Sequence, residues 1–181
     1  MKVCINPGHA PNGQPDPGAC GCGLRESDVV AEVGHAVAGY LTAAGCEVKV
    51  LQSDSLSEIS TTANAWGADV FVSIHCNSAS RDDARGVETY SYYGSGNGRA
   101  LADCIHERIV GRFEEIDGDF PDRGLKEAGF HVIRCTDMPA VLVELAFINN
   151  EDDAKLLKNH VDDFARAIAC GVTDYECDIF C

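Results

Sequence analysis

Asp69-Val70-Phe71-Val72-Ser73-Ile74-His75 is a short apolar, β-branched run that closes on polar residues. Apolar side chains fall at odd and even positions alike, and the run is too short for a helix of ordinary length. It reads as a strand buried on both faces, the kind that lies inside a sheet covered by helices on both sides. Pro139-Ala140-Val141-Leu142-Val143-Glu144 has the same character, an apolar run ending in a carboxylate, and reads as a second central strand.

Outward from the first run the chain alternates. Leu56 to Trp66 predicts a helix and Cys46 to Leu51 a strand. Ser27 to Ala44 carries Val29, Val30, Val33, Val37 and Leu41 at helical spacing and stops at Gly45. Residues 2 to 6 predict a strand ended by Pro7-Gly8, followed by a Gly- and Pro-rich loop over residues 10 to 25. On the other side, Gly86 to Tyr93 has strand character and is free to run antiparallel. Leu101, Ile105 and Ile109 mark a helix whose exit Gly111 and Gly118 bracket, and residues 130 to 134 predict a short strand. A last helix starts at the N-cap Asn150, with Glu151, Asp152 and Asp153 where the helix dipole favours acids. Its buried face is Leu157, Val161, Phe164, Ile168 and Val172. The alternation predicts a single three-layer α/β/α domain over residues 1–181, a mostly parallel or mixed central sheet flanked by helices, with no linker or repeat.

The 181 residues are 45% hydrophobic and 24% charged, the balance of a globular domain, with a net charge of -15. No basic stripe could track phosphates, which argues against nucleic acid as a partner. No apolar window reaches membrane-spanning length, so membrane insertion is not expected, and Met1 to His9 runs into a turn before an export signal could form. An acidic protein is repelled by an anionic surface at long range, so affinity for one must come from contacts within a cleft. The ten cysteines are irregularly spaced. Cys4, Cys46, Cys76, Cys104, Cys135 and Cys170 fall in apolar segments and read as buried free thiols of a reducing compartment or an anaerobe. Cys20-x-Cys22 and Cys177-x-x-x-Cys181 fall short of a structural zinc motif and read as loop and tail thiols.

In layered α/β folds the reactive site lies at the carboxyl ends of strands. His9 follows the first strand, His75 ends the central run, Glu26 stands at the start of the first long helix and Glu144 ends the last apolar strand. Two histidines and a carboxylate suit a catalytic zinc ion with three protein ligands, and a fourth group can then handle protons. Singly, each has a plainer role: turn histidine, helix-capping acid, strand-end histidine, partner for an arginine. Spacing alone leaves both readings open. Glu32-x-x-His35 and His106-Glu107 lack the second histidine of a helical zinc motif and read as solvated helix residues.

The chain resembles the catalytic domain of zinc-dependent N-acetylmuramoyl-L-alanine amidases over nearly its whole length. The matching stretches are Ile5-Asn6-Pro7-Gly8-His9, Glu26, Ala63-Asn64, Ala68 to Asn77, Arg85 to Thr89, Asp122 to Lys126, and Pro139 to Glu144 with Phe147 and Asn150. The resemblance implies the three-layer fold, one zinc ion held by His9, Glu26 and His75, Glu144 as catalytic acid and base, and peptidoglycan or a muropeptide as substrate. Asn77, Arg123 and Asn150 are candidate cleft residues that could equally cap a strand end or helix. Departures are Asn6 where the family often has Asp, Ala10 and Ala146 where it often has Gly, and Ile59 where an arginine is common, a loss expected at the surface or in a loop. Only Ser78 to Ala84 separates Asn77 from the next strand. No inhibitory helix fits there, which implies that no obligate protein activator is needed. A zinc peptidase acting on wall peptides and a catalytically silent wall-binding module are the competing readings; the latter would be expected to lack a ligand or Glu144. The expected place of action is the bacterial cell wall, reached either as a phage-type lysin made in the cytoplasm or as a domain exported by another route.

Overall fold

The run beginning at Asp69 does become a central strand. The structure, a computed structural model, describes residues 1–180, with side chains through residue 178. Its elements are β1 (Lys2–Pro7), β2 (Cys20–Gly21), β3 (Leu24–Arg25), α1 (Glu26–Ala43), β4 (Glu47–Val50), α2 (Leu56–Trp66), β5 (Val70–Asn77), β6 (Val87–Ser91), α3 (Gly96–Ile116), β7 (Asp122–Glu127), α4 (His131–Arg134), β8 (Ala140–Phe147), α5 (Glu151–Asn159) and α6 (Val161–Phe180). Six strands form one sheet in the order β4-β1-β5-β8-β6-β7. Neighbours are parallel except β6 and β8, which are antiparallel, so the sheet is mixed and helices cover both faces.

The two faces are unequal. Val3, Ile5, Val72, Ile74, Val141 and Val143 point into a large core shared with α1, α3 and α6. The intervening Cys4, Phe71 and Leu142 point the other way, onto Ile59 and Ala63 of α2 and Val132 and Ile133 of α4. Only those two short helices cover the second face. In the ladders, His75 on β5 pairs with Glu144 on β8, and Glu144 pairs with Glu88 on β6. Paired residues project to one face, and by alternation with Phe71 and Leu142 that face is the thinly covered one.

The main departures from the sequence expectation are three. Residues 130 to 134 form the helix α4 rather than a strand. The adjacent Val132 and Ile133 are both buried against α2, which the opposite-facing side chains of a strand could not do. The helix α3 ends at Ile116, between the two glycines expected to bracket its exit, and runs through Gly111 because packing of Ile109 and Phe113 outweighs the ~1 kcal/mol helix cost of a glycine. The last helix breaks at His160 into α5 and α6. β7 was not expected at all: its sequence, DRGLKE, suits a polar edge strand and has no apolar alternation.

Among the described residues, nine cysteines are free. Cys4, Cys46 and Cys76 are buried as expected, Cys104 and Cys135 are half-buried, and Cys170 is exposed because it lies on the outer side of α6. Cys20, Cys22 and Cys177 are exposed, and Cys181 lies outside the described residues. No helix is long and apolar enough to cross a membrane among the described residues.

Candidate metal centre

Three separate segments bring His9, Glu26 and His75 together. Pro7 ends β1, and Gly8 donates its N–H to the Ile74 carbonyl at 2.9 Å, holding the turn against β5. The His75 ring packs so closely on this turn that a Cβ on Gly8 would sit 2.3 Å from the ring. His9 follows in the left-handed region, φ 65°. Its Nδ1 lies 2.7 Å from Asp16 Oδ2, so Nε2 faces inward, 3.0 Å from Glu26 Oε1. Glu26 opens α1 but does not cap it. Its Oε2 accepts the Ala19 N–H at 2.8 Å, and its Oε1 accepts the Cys76 N–H at 2.9 Å and lies 3.0 Å from His75 Nδ1. Gly18, φ 69°, closes the cradle from the loop side, where a Cβ would meet His9 at 2.5 Å and Glu26 Oε2 at 2.6 Å.

The three ligand-type atoms lie within 4.8 Å of one another, and the imidazoles meet edge to face with centroids 5.0 Å apart. One carboxylate oxygen 3.0 Å from two imidazole nitrogens is a separation that a tetrahedral ion with bonds of about 2.0–2.2 Å can span. Asp16 on the outward nitrogen of His9 is the outer partner that fixes the ring and its tautomer in such sites.

Glu144 stands one strand from His75 and is not part of the donor set. Its Oε2 is buried without a hydrogen-bond partner. Burial, with the nearby charges of Glu26 and Glu88, raises its carboxyl to about 8. Glu26 behaves oppositely: burial works against its charge, but hydrogen bonds from His75, His9 and Ala19 hold it down at about 2. Burial likewise opposes charge on His9, and the Glu26 and Asp16 carboxylates overcome this to raise it to about 9. The proton that Glu26 and Asp16 hold on His9 occupies the place a divalent cation would take, beside a buried carboxyl oxygen that has no partner. The donor set, the orphaned oxygen and the glycine-lined cradle therefore fit zinc.

A cavity of about 320 Å³ opens onto the cradle, lined by Gly8, His9, Asp16 and His75 on one side and Leu56, Ile59, Phe130 and His131 on the other. Ile59 is buried in the wall of this cavity, 2% exposed, rather than in a surface or loop position. Ala146 is buried in the main core. Asn6, where an acid was the alternative, is fully used: it donates to the Leu51 carbonyl at 2.7 Å and accepts from Ser73 Oγ at 2.8 Å.

The candidate cleft residues separate. Asn77 and Arg123 both donate to Glu88, the latter at 3.0 Å, and so stand beside Glu144. Asn150 instead caps α5 by accepting the Asp152 and Asp153 N–H groups, and donates to the Asp82 carbonyl at 2.6 Å. It is away from the cradle because its side chain closes a helix end. Glu32, His35 and Glu107 are exposed as expected, but His106 is buried between Thr89 Oγ1 (3.0 Å) and Asp122 Oδ1 (2.8 Å), bridging α3 to the sheet. Sequence reasoning missed Asp16, Glu88 and Lys126. Only the Asp16-Pro17-Gly18 turn beside a histidine-bearing loop hints at the first, and Glu88 is signalled as the one charged residue of the strand Val87–Ser91.

Residues 3–174 match the family described as N-acetylmuramoyl-L-alanine amidase. The chain is 38% identical over 178 residues to N-acetylmuramoyl-L-alanine amidase CwlM of Bacillus licheniformis, covering 94% of this chain and 65% of that protein. It is 37% identical over 181 residues to the sporulation-specific N-acetylmuramoyl-L-alanine amidase of Bacillus subtilis, covering 95% of this chain and 67% of the relative. The chain thus spans about two thirds of the length of these relatives. Its fold superposes on N-acetylmuramoyl-L-alanine amidase AmiC2 of Nostoc punctiforme with a TM-score of 0.88 at 32% identity, covering 98% of this chain and 97% of that one.

Proposed function

The chain belongs to the N-acetylmuramoyl-L-alanine amidase family, and from that premise we propose that it hydrolyses the amide joining N-acetylmuramic acid to L-alanine in peptidoglycan, with one zinc ion at His9, Glu26 and His75 and with Glu144 moving the proton. The observation that carries this reading is a single carboxylate oxygen 3.0 Å from two imidazole nitrogens, one strand away from a buried carboxyl oxygen with no partner.

When bound, zinc would polarise the scissile carbonyl and lower the pKa of water to about 7. The protein's own residues do the rest. Asp16 accepts from His9 Nδ1–H, which leaves the Nε2 lone pair facing the cradle. The Ala19 and Cys76 N–H groups orient the Glu26 carboxylate from behind. Glu144 Oε2 takes a proton from the attacking water and returns it to the nitrogen of L-alanine as the C–N bond breaks. Burial gives this carboxyl the proton affinity that both halves of the transfer need.

Ser78 to Ala84 supports action without an obligate protein activator. It is pinned to the turn after β8, where Asn149 donates to the Ala79 carbonyl at 2.9 Å and Asn150 to that of Asp82, and none of its residues lines the cavity. Peptidoglycan is then reached directly, and the cell wall is the place of action.

Glu144→Gln is expected to bind zinc as the unaltered protein does while turnover falls by about a hundred- to ten-thousand-fold. His75→Ala is expected to lose zinc and activity together. Metal content and muropeptide turnover measured on the same samples test both, and an active Glu144→Gln variant would falsify the assignment.

A further inference from the structure

In a chain of net charge -15, ion-paired arginines elsewhere each have a carboxylate of their own. Arg85 has Asp117 and Asp153, Arg112 has Glu115 and Asp163, and Arg108 has Asp174. The pattern inverts next to Glu144, where Arg123 and Lys126, both on β7, share one acid, Glu88. Glu88 is 3% exposed. Its Oε2 accepts from both cations, and its Oε1 accepts from Asn77 and, at 2.9 Å, from the Tyr90 hydroxyl.

Glu88 is therefore saturated, and the cluster holds two positive charges against one negative. The Arg123 Nη groups have no protein partner among the described residues, and the side chains of Arg123 and Lys126 are each 36% exposed. The guanidinium lies over the Phe147 ring, 4.8 Å from its centroid, which fixes the plane of its free donors. This is the donor fork that a second carboxylate matches.

Position supplies the ligand class. Glu88, Glu144 and His75 are ladder partners on adjacent strands. With strands about 4.8 Å apart, Glu88, which both cations reach from β7, lies one spacing beyond Glu144 and two from His75. An extended peptide advances about 3.3–3.6 Å per residue. A peptide whose amide is cut beside Glu144 and which runs toward β7 presents its second residue to the pair.

Resting on the amidase reading of the same site, we propose that Arg123 and Lys126 form an anion subsite for a free carboxylate on the stem-peptide residue that follows L-alanine, with Glu88 as the positioning residue that holds both. A stem whose second residue carries a carboxamide there is the disfavoured substrate.

The test uses the zinc-loaded protein and two muramoyl peptides that differ only in carboxylate or carboxamide at that residue. The expected kcat/KM ratio is about tenfold or more in favour of the carboxylate. It should fall toward one in Arg123→Gln and in Lys126→Gln, each of which leaves Glu88 one cation, and persist in Arg123→Lys. Equal kcat/KM for the two substrates, or a ratio surviving in both glutamine variants, overturns the subsite. If neither muramoyl peptide is cut, the amidase reading fails instead. Calorimetric binding of the two free stem peptides then decides the subsite alone: tighter binding of the carboxylate, lost in Arg123→Gln, supports it, and equal binding refutes it.

Discussion

His9 adopts φ 65°, where a side-chain-bearing residue costs roughly 1–2 kcal/mol, and its ring is gripped by Asp16 on one nitrogen and Glu26 on the other. In the metal-free protein these carboxylates raise its proton affinity to about 9 despite burial. A raised histidine contributes stability that is full below its ordinary 6.5 and is lost as pH climbs through 9. Zinc must displace that proton. Binding at pH 7 is therefore expected to release at least one proton, and apparent affinity should climb by up to about tenfold per pH unit toward pH 9. Calorimetry in buffers of different ionisation enthalpy measures the release, and a heat independent of buffer would contradict it. His9, His75 and Glu144 were legible because each lies on or just after a recognisable strand, although β5 runs on to Asn77 and β8 to Phe147, past the ends expected at His75 and Glu144. Asp16 was not, since a loop acid carries no periodic signal, and its partner is revealed only by the fold of that loop.

The helix α5 explains why Asn150 belongs to architecture. Its side chain satisfies two N–H groups at the helix start, while Asp153 in the first turn, 0% exposed, accepts from Arg85 Nε at 3.0 Å, Gly86 N at 2.8 Å and Phe147 N at 2.8 Å. Asn150→Ala is expected to lose about 1 kcal/mol of stability. Asp153→Ala removes one of the two carboxylates on Arg85, which keeps Asp117, and strands the Gly86 and Phe147 N–H groups; it is expected to lose about 2–4 kcal/mol. Denaturant titration reads both. Turnover per folded molecule should be unchanged in Asn150→Ala, and a marked loss there would return this residue to the cleft. The elements that periodicity foretold, α1, α2, β5 and β8, have a clean buried face or an apolar run. Those it missed lack one: β7 is a charged edge, α4 is a single turn, and the α5–α6 break at His160 interrupts a face that stays buried through Phe164 and Ile168.

Across the whole molecule, unequal layering makes the site. Three long helices bury one side of the sheet, and two short ones leave the cradle end of the other open. The layered fold was readable from alternating strands and helices, whereas this inequality depends on which faces the helices take and emerges only in three dimensions. Charge acts at the same scale. At physiological salt, repulsion between this acidic protein and an anionic wall is screened beyond about 8 Å, so recognition rests on groups within the cleft. The most direct measurement is mass analysis of sacculi digested with the zinc-loaded protein, with and without a chelator. Free stem peptides beginning with L-alanine, lost on chelation and restored by added zinc, are the predicted result. Cuts within the stem peptide, or release that chelation leaves undiminished, would contradict it.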